Sequence, residues 1–444
     1  LRGQVSLKQV IVRKQFRIYG SLQPKPKQYY SAHVLLKLST ERRIMLTTYL
    51  DWAATTPLRP EASQAMMEIL QPGLEGLRAG GANANALYTA GRDAFKLLEQ
   101  TRRMIAATLH ARPDEIIFTS GSTEANNTAL YGMTDALMLE REEHADHDDH
   151  DCVPRIVVSS IEHDSVLEAA AQLGMWGAEI VAVNPDSSGH ITPEALACVC
   201  NDHTILVSIM MVNNEIGSVM NIAELADVAH SVGALFHTDA TQAAGKMPVN
   251  VVELGVDALS LSAHKFGGPK GCGVLYLKAH TPFSPQIVGG GQELHKRSGT
   301  QNVASVVGMG CALEASCIDQ ELEYRRLQDL RDYCYAALTE LPGVKAVVDV
   351  LPGDESYAPH IVNVTVEGFE SQTLIMQLDR SGIAVSGGSA CSSDDLDPSH
   401  VLRALGISRD RALDSLRVSL GWLTTKDDID ILVEAVKKLI ATKK

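Results

Sequence analysis

The chain contains 444 residues with a mass of 47.9 kDa, and its composition is 45% hydrophobic and 21% charged, with a net charge of −15. Such a length predicts roughly two to three domains, and such a composition a globular protein with a large core. No apolar run approaches the roughly 18 residues of a membrane span, and an acidic chain repels phosphate backbones, so we expect neither a membrane protein nor a general nucleic-acid binder.

Residues 1–44 differ from the rest of the chain, because they hold ten Lys and Arg against one Glu, and the first methionine is Met45. The stretch has no long apolar run and no clear amphipathic period, which argues against a secretory signal peptide. Its basic, acid-poor composition leaves a transit peptide open, although Ser is scarce. We interpret residues 1–44 as a basic extension that is not part of the fold.

From Tyr49 onward, short β-rich runs alternate with helical stretches. Between the strands, residues 221–232 place Ile222, Leu225 and Val228 on one face of a predicted helix. This alternation predicts an α/β fold with a mainly parallel sheet flanked by helices. The predicted strands are residues 115–119, 155–159, 204–211, 234–238, 258–262 and 272–277.

The same pattern suggests how the domains are divided. We assign residues 59–320 to a large domain that contains the predicted sheet. Residues 45–58 and 321–444 are assigned to a smaller α/β domain, with a helix at 321–341 and strands at 363–366 and 417–420.

Polar residues collect where the first three strands of this set end, which is where a mainly parallel sheet binds its ligands. The first strand runs into TSGSTEANN at 119–127, a hydroxyl-rich turn that is either an anion site or an ordinary helix cap. The second is followed by His163, which can equally be a surface histidine. The third is followed by Asn213 and Asn214, which also suit a plain turn.

The next two strand ends carry charged residues. Asp239 follows an apolar run, where a buried carboxylate is costly unless a cation faces it. Lys265 follows the next strand, and it either extends to water or acts as an amine whose pKa is lowered by burial. An anion site, a carboxylate and an amine at neighbouring strand ends together match pyridoxal phosphate, which needs a phosphate cradle, a partner for its ring nitrogen and a Schiff-base amine.

At this level of detail the chain resembles the class V aminotransferase family, and within it the cysteine desulfurases of the NifS/IscS-like group. The resemblance covers essentially all of residues 45–444 and implies the fold type I of pyridoxal-phosphate enzymes, with a large cofactor-binding domain and a smaller α/β domain. The motifs that carry it are LDWAATTP at 50–57, FTSGSTE at 118–124, EH at 162–163, VNNEIG at 212–217, HTDATQ at 237–242, AHK at 263–265, GGGQE at 289–293, RSGT at 297–300, SACSS at 389–393, LDPSHVLRALG at 396–406 and LRVSLG at 416–421.

The resemblance also implies a role for each matching residue. Lys265 forms the Schiff base, Asp239 pairs with the ring nitrogen, His163 stacks on the ring and Gln242 bonds the phenolic oxygen. Arg417, with Asn214, binds the substrate carboxylate, for which an Arg fork is suited. Thr300 reaches the phosphate of a neighbouring subunit, so a homodimer is implied. The residues implied for the phosphate are Ser122, Thr123, Ser262 and His264.

Cys391 is the residue that separates a desulfurase from an ordinary aminotransferase. It lies in VSGGSACSSDD at 385–395, a small, polar stretch typical of a mobile loop rather than of a buried structural cysteine. In the implied mechanism the Cys391 thiolate attacks the sulfur of L-cysteine, leaving alanine and a persulfide that is passed to an acceptor. No resident metal is predicted, although Cys391 could ligate an iron–sulfur cluster transiently.

We therefore predict a cysteine desulfurase that supplies sulfur to an iron–sulfur scaffold protein or to a tRNA-thiolation acceptor. Two alternatives stay open: a selenocysteine lyase of the same fold, and a catalytically silent sulfur carrier or scaffold. The retained Lys265, Asp239 and Cys391 argue against the silent protein.

Two further features concern cysteines and a charged insertion. Eight cysteines are too sparse for a disulfide framework, so we expect a reduced, cytoplasmic protein. The stretch 140–151 holds seven acidic residues and three His, for which a hydrophilic surface loop is the favoured interpretation and a divalent-metal site the alternative.

Overall fold

The computed structural model describes residues 48–144, 153–387 and 398–442. The predictions for the extension 1–44, for most of the insertion 140–151 and for Cys391 therefore lie outside the described residues. None of the described helices is long and apolar enough to cross a lipid bilayer.

Twelve strands are present in the described part of the chain. Each predicted strand corresponds to one of them, with ends that differ by three residues or fewer. The strands are β1 (Thr48–Tyr49), β2 (Ile116–Thr119), β3 (Arg155–Ser159), β4 (Glu179–Val183), β5 (Thr204–Ser208), β6 (Leu235–Asp239), β7 (Ala258–Ser262), β8 (Gly273–Leu277), β9 (Val344–Ala346), β10 (Ile361–Val366), β11 (Ile383–Ala384) and β12 (Ser415–Ser419).

Seven of these strands form one sheet in the order β2-β8-β7-β6-β5-β3-β4. The strands β7, β6, β5, β3 and β4 pair in parallel with their neighbours in that order. Strand β8 runs antiparallel to both β2 and β7. The prediction of a mainly parallel sheet is therefore confirmed. Strand β4 was not predicted from the sequence. It is an edge strand in which only Val183 is fully buried, although residues 180–183 form a short apolar run.

Helices cover this sheet and fill the connections between its strands. The helices are α1 (Pro60–Ile69), α2 (Leu74–Gly76), α3 (Thr89–Thr108), α4 (Ser122–His144), α5 (Asp164–Met175), α6 (Pro193–Val199), α7 (Ile222–Ser231), α8 (Val251–Leu254), α9 (Val303–Cys317), α10 (Gln320–Thr339), α11 (Ser371–Asp379), α12 (His400–Ala404), α13 (Arg409–Leu413) and α14 (Lys426–Thr442). Shorter turns of other helix types are Leu77–Gly81, Pro113–Glu115, Ala263–Lys265 and Glu293–His295.

Helix α7 shows why the periodicity in the sequence was informative. Ile222, Leu225, Ala226 and Ala229 are all buried, which is the one-sided pattern of a helix that packs on a sheet. The helix begins and ends within one residue of the predicted 221–232.

Two smaller sheets complete the fold. Strands β12, β10 and β9 form an antiparallel sheet, and β1 pairs in parallel with β11, so residues at the two ends of the described chain lie side by side. Asp51, just after β1, also forms a bridge with Ser419 in β12. The division into domains at residues 58 and 320 stays a prediction.

Candidate active site

A cavity of about 290 Å³ opens at the carboxyl ends of the central strands, where the sequence predicted a ligand site. Among the described residues, every predicted site residue except Ser262 and Thr300 lines it. The lining residues are Ala53, Ala54, Ser122, Thr123, His163, Asp164, Met210, Val212, Asn214, Glu215, Asp239, Thr241, Gln242, His264, Lys265, His400 and Arg417.

Asp239 is the last residue of β6, and its side chain is 4% exposed. One carboxylate oxygen, Oδ2, accepts a hydrogen bond of 2.7 Å from Asn126 Nδ2, and Oδ1 accepts one of 2.9 Å from the backbone N–H of Thr241. A buried carboxylate with neutral donors can pair with a cation in the cavity. Asn126 lies in the sequence motif that follows β2, but the sequence alone gave no reason to connect it with Asp239.

Lys265 ends the short helical turn that follows β7. Its Nζ donates to the carbonyl oxygens of Ala53 at 2.8 Å and Ala54 at 2.9 Å, both in the segment after β1. Next to it, the pKa of His264 falls to about 4 because of burial and, secondarily, the positive charge of Lys265. His264 therefore stays neutral near pH 7, and its Nδ1 lies 3.1 Å from Thr55 Oγ1.

Ser122 and Thr123 open helix α4, whose free N–H groups and dipole favour an anion. The preceding turn lies close against the sheet, because a Cβ on Gly273 would be only 2.6 Å from Gly121 Cα. Glycine is thus required at Gly273 for the turn to reach this position. A hydroxyl-bearing helix start at the edge of the cavity can bind a phosphate group.

Ser262 and Thr300 lie outside the lining of this cavity. The Ser262 hydroxyl is buried beside the turn before Ser122, where it would be 3.5 Å from a Cβ on Gly121. Thr300 is exposed on the loop that follows Arg297. Arg297 donates to Glu124 at 2.7 Å and so holds this loop against the start of α4.

His163 caps helix α5, and its ring lines the cavity. The backbone N–H of Ser165 donates to Nδ1 at 3.1 Å, so Nδ1 is an acceptor. In a neutral ring the proton is therefore on Nε2. This contact fixes both the orientation and the tautomer of an imidazole beside Asp239.

Arg417 lies in β12 and is 2% exposed, yet it lines the cavity. One guanidinium nitrogen, Nη1, donates to the carbonyl oxygen of Asn214 at 2.9 Å, and Nη2 forms an ion pair of 3.0 Å with Asp51 Oδ1. Burial raises the pKa of Asp51 above its ordinary value even though Arg417 acts in the opposite direction. A buried guanidinium held in this way can bind a carboxylate through a planar pair of hydrogen bonds.

Sequence reasoning missed a group of acidic and polar residues at the mouth of the cavity. Burial raises the pKa of Glu162 to about 8, and Ser159 Oγ and the Met210 N–H donate to its Oε1 at 2.5 and 2.7 Å. Glu215 is also buried, and Ser399 Oγ donates to it at 2.5 Å. Glu162, Glu215 and Ser399 lie in the motifs quoted above, but no pattern in the sequence shows which pairs will meet.

His400 lies at the same mouth, directly after Ser399. Its Nε2 is 2.9 Å from the carbonyl oxygen of Glu162, so that nitrogen is a donor. Ser399 and His400 together attach the chain that follows residues 388–397 to the loops of the large sheet.

The described cysteines lie away from the cavity lining. Burial raises the pKa of Cys200 to about 11 and those of Cys272 and Cys334 to about 12. Such thiols are poor nucleophiles near pH 7. Cys391 itself falls outside the residues that the structure describes.

Comparison with known proteins agrees with this geometry. The profile of the class V aminotransferase family matches residues 48–432. The cysteine desulfurase IscS of Dictyoglomus turgidum is 41% identical over 394 residues, covering 88% of this chain and 94% of that protein. Among solved structures, a NifS-like protein superimposes with a TM-score of 0.79 at 30% identity, covering 89% of this chain and 99% of that one. The SspA protein solved in complex with cysteine gives a TM-score of 0.69 at 31% identity, covering 84% and 99% of the two chains.

Proposed function

The chain belongs to the class V aminotransferase family, and we propose that it works as a pyridoxal-phosphate-dependent cysteine desulfurase, which removes sulfur from L-cysteine and leaves L-alanine. The observation that carries this proposal is the meeting of Lys265, Asp239 and Arg417 around one cavity. The relative solved with cysteine supports the choice of substrate.

The residues present fit pyridoxal phosphate. A buried carboxylate at Asp239, with neutral donors on both oxygens, suits a protonated ring nitrogen. Lys265 supplies a primary amine, and Ser122 and Thr123 supply a helix start for the phosphate, with Ser262 and His264 beside it. When bound, the cofactor provides an electron sink for the pair released at the substrate Cα.

Arg417 binds and orients the substrate. Its guanidinium faces the cavity from a buried position, held by the Asn214 carbonyl and by Asp51. Because its orientation is fixed in advance, the substrate carboxylate gains two charge-assisted hydrogen bonds with little further loss of side-chain freedom. The substrate amine and Cα are thereby directed toward Lys265.

Lys265 and His163 move protons. Lys265 Nζ takes the Cα proton and later returns it, since it is the amine nearest the floor of the cavity and is oriented by two carbonyl oxygens. His163, with its proton on Nε2 in the neutral ring, would lie against the ring of the bound cofactor and would supply a proton to the substrate.

Cys391 receives the sulfur. Its thiolate attacks the substrate sulfur, so that an S–S bond forms while the Cβ–S bond breaks and its electron pair returns to the carbon that becomes alanine. Cys391 is the fourth residue after Gly387, the last described residue before it. Ser386 pairs with Arg417 through backbone hydrogen bonds of 2.8 and 3.2 Å, so the loop begins at the cavity wall.

A homodimer is proposed as the working form. Asn85 Nδ2 donates to Gln301 Oε1 at 3.0 Å, which places the segment around Leu87 beside the loop that carries Thr300. Leu87 is 90% exposed and Tyr88 is 61% exposed, and exposed apolar side chains of this size are typical of a protein interface. A second copy packed there would bring Thr300 to the phosphate of its partner.

The persulfide is passed to an iron–sulfur scaffold protein or to a tRNA-thiolation acceptor, and we propose that this takes place in the cytoplasm. Transfer between thiols requires that cysteines stay reduced, and the six described cysteines are all free thiols.

The test is to incubate the holoenzyme with L-cysteine and to follow alanine and protein-bound persulfide, comparing wild type with Cys391→Ser and with Cys317→Ser as the control. Cys391→Ser should keep the cofactor spectrum and lose alanine production by orders of magnitude, because a neutral hydroxyl is a far poorer nucleophile toward sulfur than a thiolate. Cys317→Ser should behave as wild type. Undiminished desulfuration by Cys391→Ser would refute the persulfide role, and faster turnover of selenocysteine than of cysteine would favour a selenocysteine lyase.

A further inference from the structure

A second lysine is buried behind the cavity and has no part in the mechanism above. Lys246 follows Gln242 by one helical turn and is 9% exposed. Its Nζ lies 3.1 Å from Gln242 Oε1 and 3.4 Å from the Gln242 carbonyl oxygen. In the described part of the chain, no carboxylate forms an ion pair with it.

The charged and titratable groups around Lys246 make this arrangement unusual. Burial and the nearby charge of Lys265 lower the pKa of Lys246 to about 7. His360 is fully buried, and burial together with the charges of Lys246, Arg417 and Arg331 keeps its pKa well below the ordinary value. Neither of its ring nitrogens has a hydrogen-bond partner among the described residues. Burying an amine without a paired carboxylate costs free energy of folding. We therefore expect the Lys246 amine to make a contact with a functional role.

This contact of the Lys246 amine is with the side-chain amide of Gln242. Gln242 Nε2 donates to the Ala53 carbonyl oxygen at 3.0 Å, and Lys265 Nζ donates to the same oxygen at 2.8 Å. With Lys246 on Oε1 and Ala53 on one N–H, both ends of the amide are fixed. The second N–H of Nε2 is left for the cavity that Gln242 lines.

We propose that Lys246 is a positioning residue that holds the Gln242 amide with its N–H edge toward the cofactor and strengthens that N–H as a donor to the phenolic oxygen. The strengthening follows because a cationic or strongly polar donor on Oε1 polarises the amide, and linked hydrogen bonds reinforce each other. This inference rests on the proposed function, since the phenolic oxygen belongs to pyridoxal phosphate.

The test uses the holoenzyme and two cofactor measurements, the pH titration of the visible absorption band and the dissociation constant of pyridoxal phosphate. Lys246→Met should move the band's titration to higher pH by about half to one unit, because a phenolic oxygen that loses part of a hydrogen bond becomes more basic. Cofactor affinity should fall about three- to tenfold. Lys246→Gln, which restores a donor, should recover part of both effects.

Two controls separate positioning from a structural or directly electrostatic role. In a Gln242→Leu background, Lys246→Met should cause no further shift, because its effect passes through the amide. Lys278→Met, which removes a half-exposed lysine that pairs with Asp257, should change neither measurement. The urea midpoint of apo Lys246→Met should equal or exceed that of wild type, since a buried amine has been removed.

The outcomes are distinct. A wild-type protein that shows no cofactor band would overturn both the proposed function and this inference. A normal wild-type band with no change in Lys246→Met would overturn the inference alone. A shift that persists undiminished in the Gln242→Leu background would show that Lys246 acts directly by its charge, which also contradicts the proposal.

Discussion

Two groups of residues in and behind the cavity lining differ in construction, and we call them the cofactor floor and the substrate rim. The floor consists of Asn126, Asp239, Gln242 and Lys265. The rim consists of Asp51, Glu162, Glu215, His400 and Arg417. On the floor, Asp239 accepts from the neutral Asn126 amide, and Lys265 donates to the backbone oxygens of Ala53 and Ala54. Gln242 also accepts from the Lys246 amine. The rim instead combines an ion pair with two buried carboxyl groups.

This difference suggests a division of labour. The Asp239 carboxylate, whose hydrogen-bond donors are neutral, can pair with a cationic ring nitrogen of the proposed cofactor, so floor residues should control the chemical step. The rim already neutralises Arg417 with Asp51, and a substrate carboxylate must share that guanidinium. Rim residues should therefore control substrate binding more than chemistry.

The largest effect is expected on the floor. Lys265→Ala should lower kcat by about 10⁴-fold or more, because the positioned amine that carries the proton is lost. Borohydride should then fail to label the protein irreversibly with the cofactor. Lys270→Ala, which removes an exposed neighbouring lysine, should keep full activity. A borohydride adduct that maps to Lys270 would contradict the assignment of Lys265.

A smaller effect is expected on the rim at Arg417. Arg417→Lys keeps the charge but loses the planar fork, so KM for L-cysteine should rise about 10- to 100-fold with kcat changed much less, which corresponds to roughly 1.4–2.7 kcal/mol. Steady-state kinetics give both constants. The control is Arg411→Lys, an exposed arginine that donates to the Ala346 carbonyl. A fall in kcat with an unchanged KM would show that Arg417 contributes to the chemical step rather than to substrate binding.

The smallest effect concerns stability at the rim. The folded-state pKa of Glu162, about 8, lies above its ordinary value of 4.5, so its protonated form stabilises the folded chain. That stabilisation is complete below about pH 4.5 and is lost as the pH rises through about 8. Relative to Glu162→Gln, wild type should lose at most about 1.4 kcal/mol of unfolding free energy per pH unit in this window.

Urea unfolding of both proteins at a series of pH values measures this difference, and Glu434→Gln, an exposed residue on α14, serves as the control. Parallel curves for wild type and Glu162→Gln between pH 6 and 8.5 would show that Glu162 is already ionised in the folded protein.

The same comparison shows what the sequence could predict. Asp239 ends β6 and Lys265 follows β7 by three residues, so their position at one edge of the sheet follows from local pattern. The pairing of Arg417 with Asp51 joins residues 366 positions apart, and nothing local encodes it. Glu162 and Lys246 were missed for a related reason, since a single polar residue in a sequence does not show whether its side chain will be buried.

The antiparallel β8 and the edge strand β4 show the same limit for the fold. Strand β8 pairs antiparallel with both β2 and β7. The sequence could not predict this direction, because an apolar run has the same pattern whichever way the strand runs. Strand β4 depends on its single neighbour β3 for its backbone hydrogen bonds.

The segment after β1 has a consequence for how the protein is made. Residues 50–53 contact β12 through the Leu50 carbonyl, the Ala53 N–H and Asp51, and Ala53 also supplies the oxygen shared by Lys265 and Gln242. At roughly 5–20 residues per second, a ribosome needs roughly 20–70 s to synthesise the chain between Asp51 and Arg417. During that time Leu50 and Trp52 lack the native contacts made by β12 and the residues that follow it. The active site is thus among the last parts of the molecule to form, and a nascent chain that is stalled or truncated before β12 would expose Leu50 and Trp52 to chaperones and to aggregation.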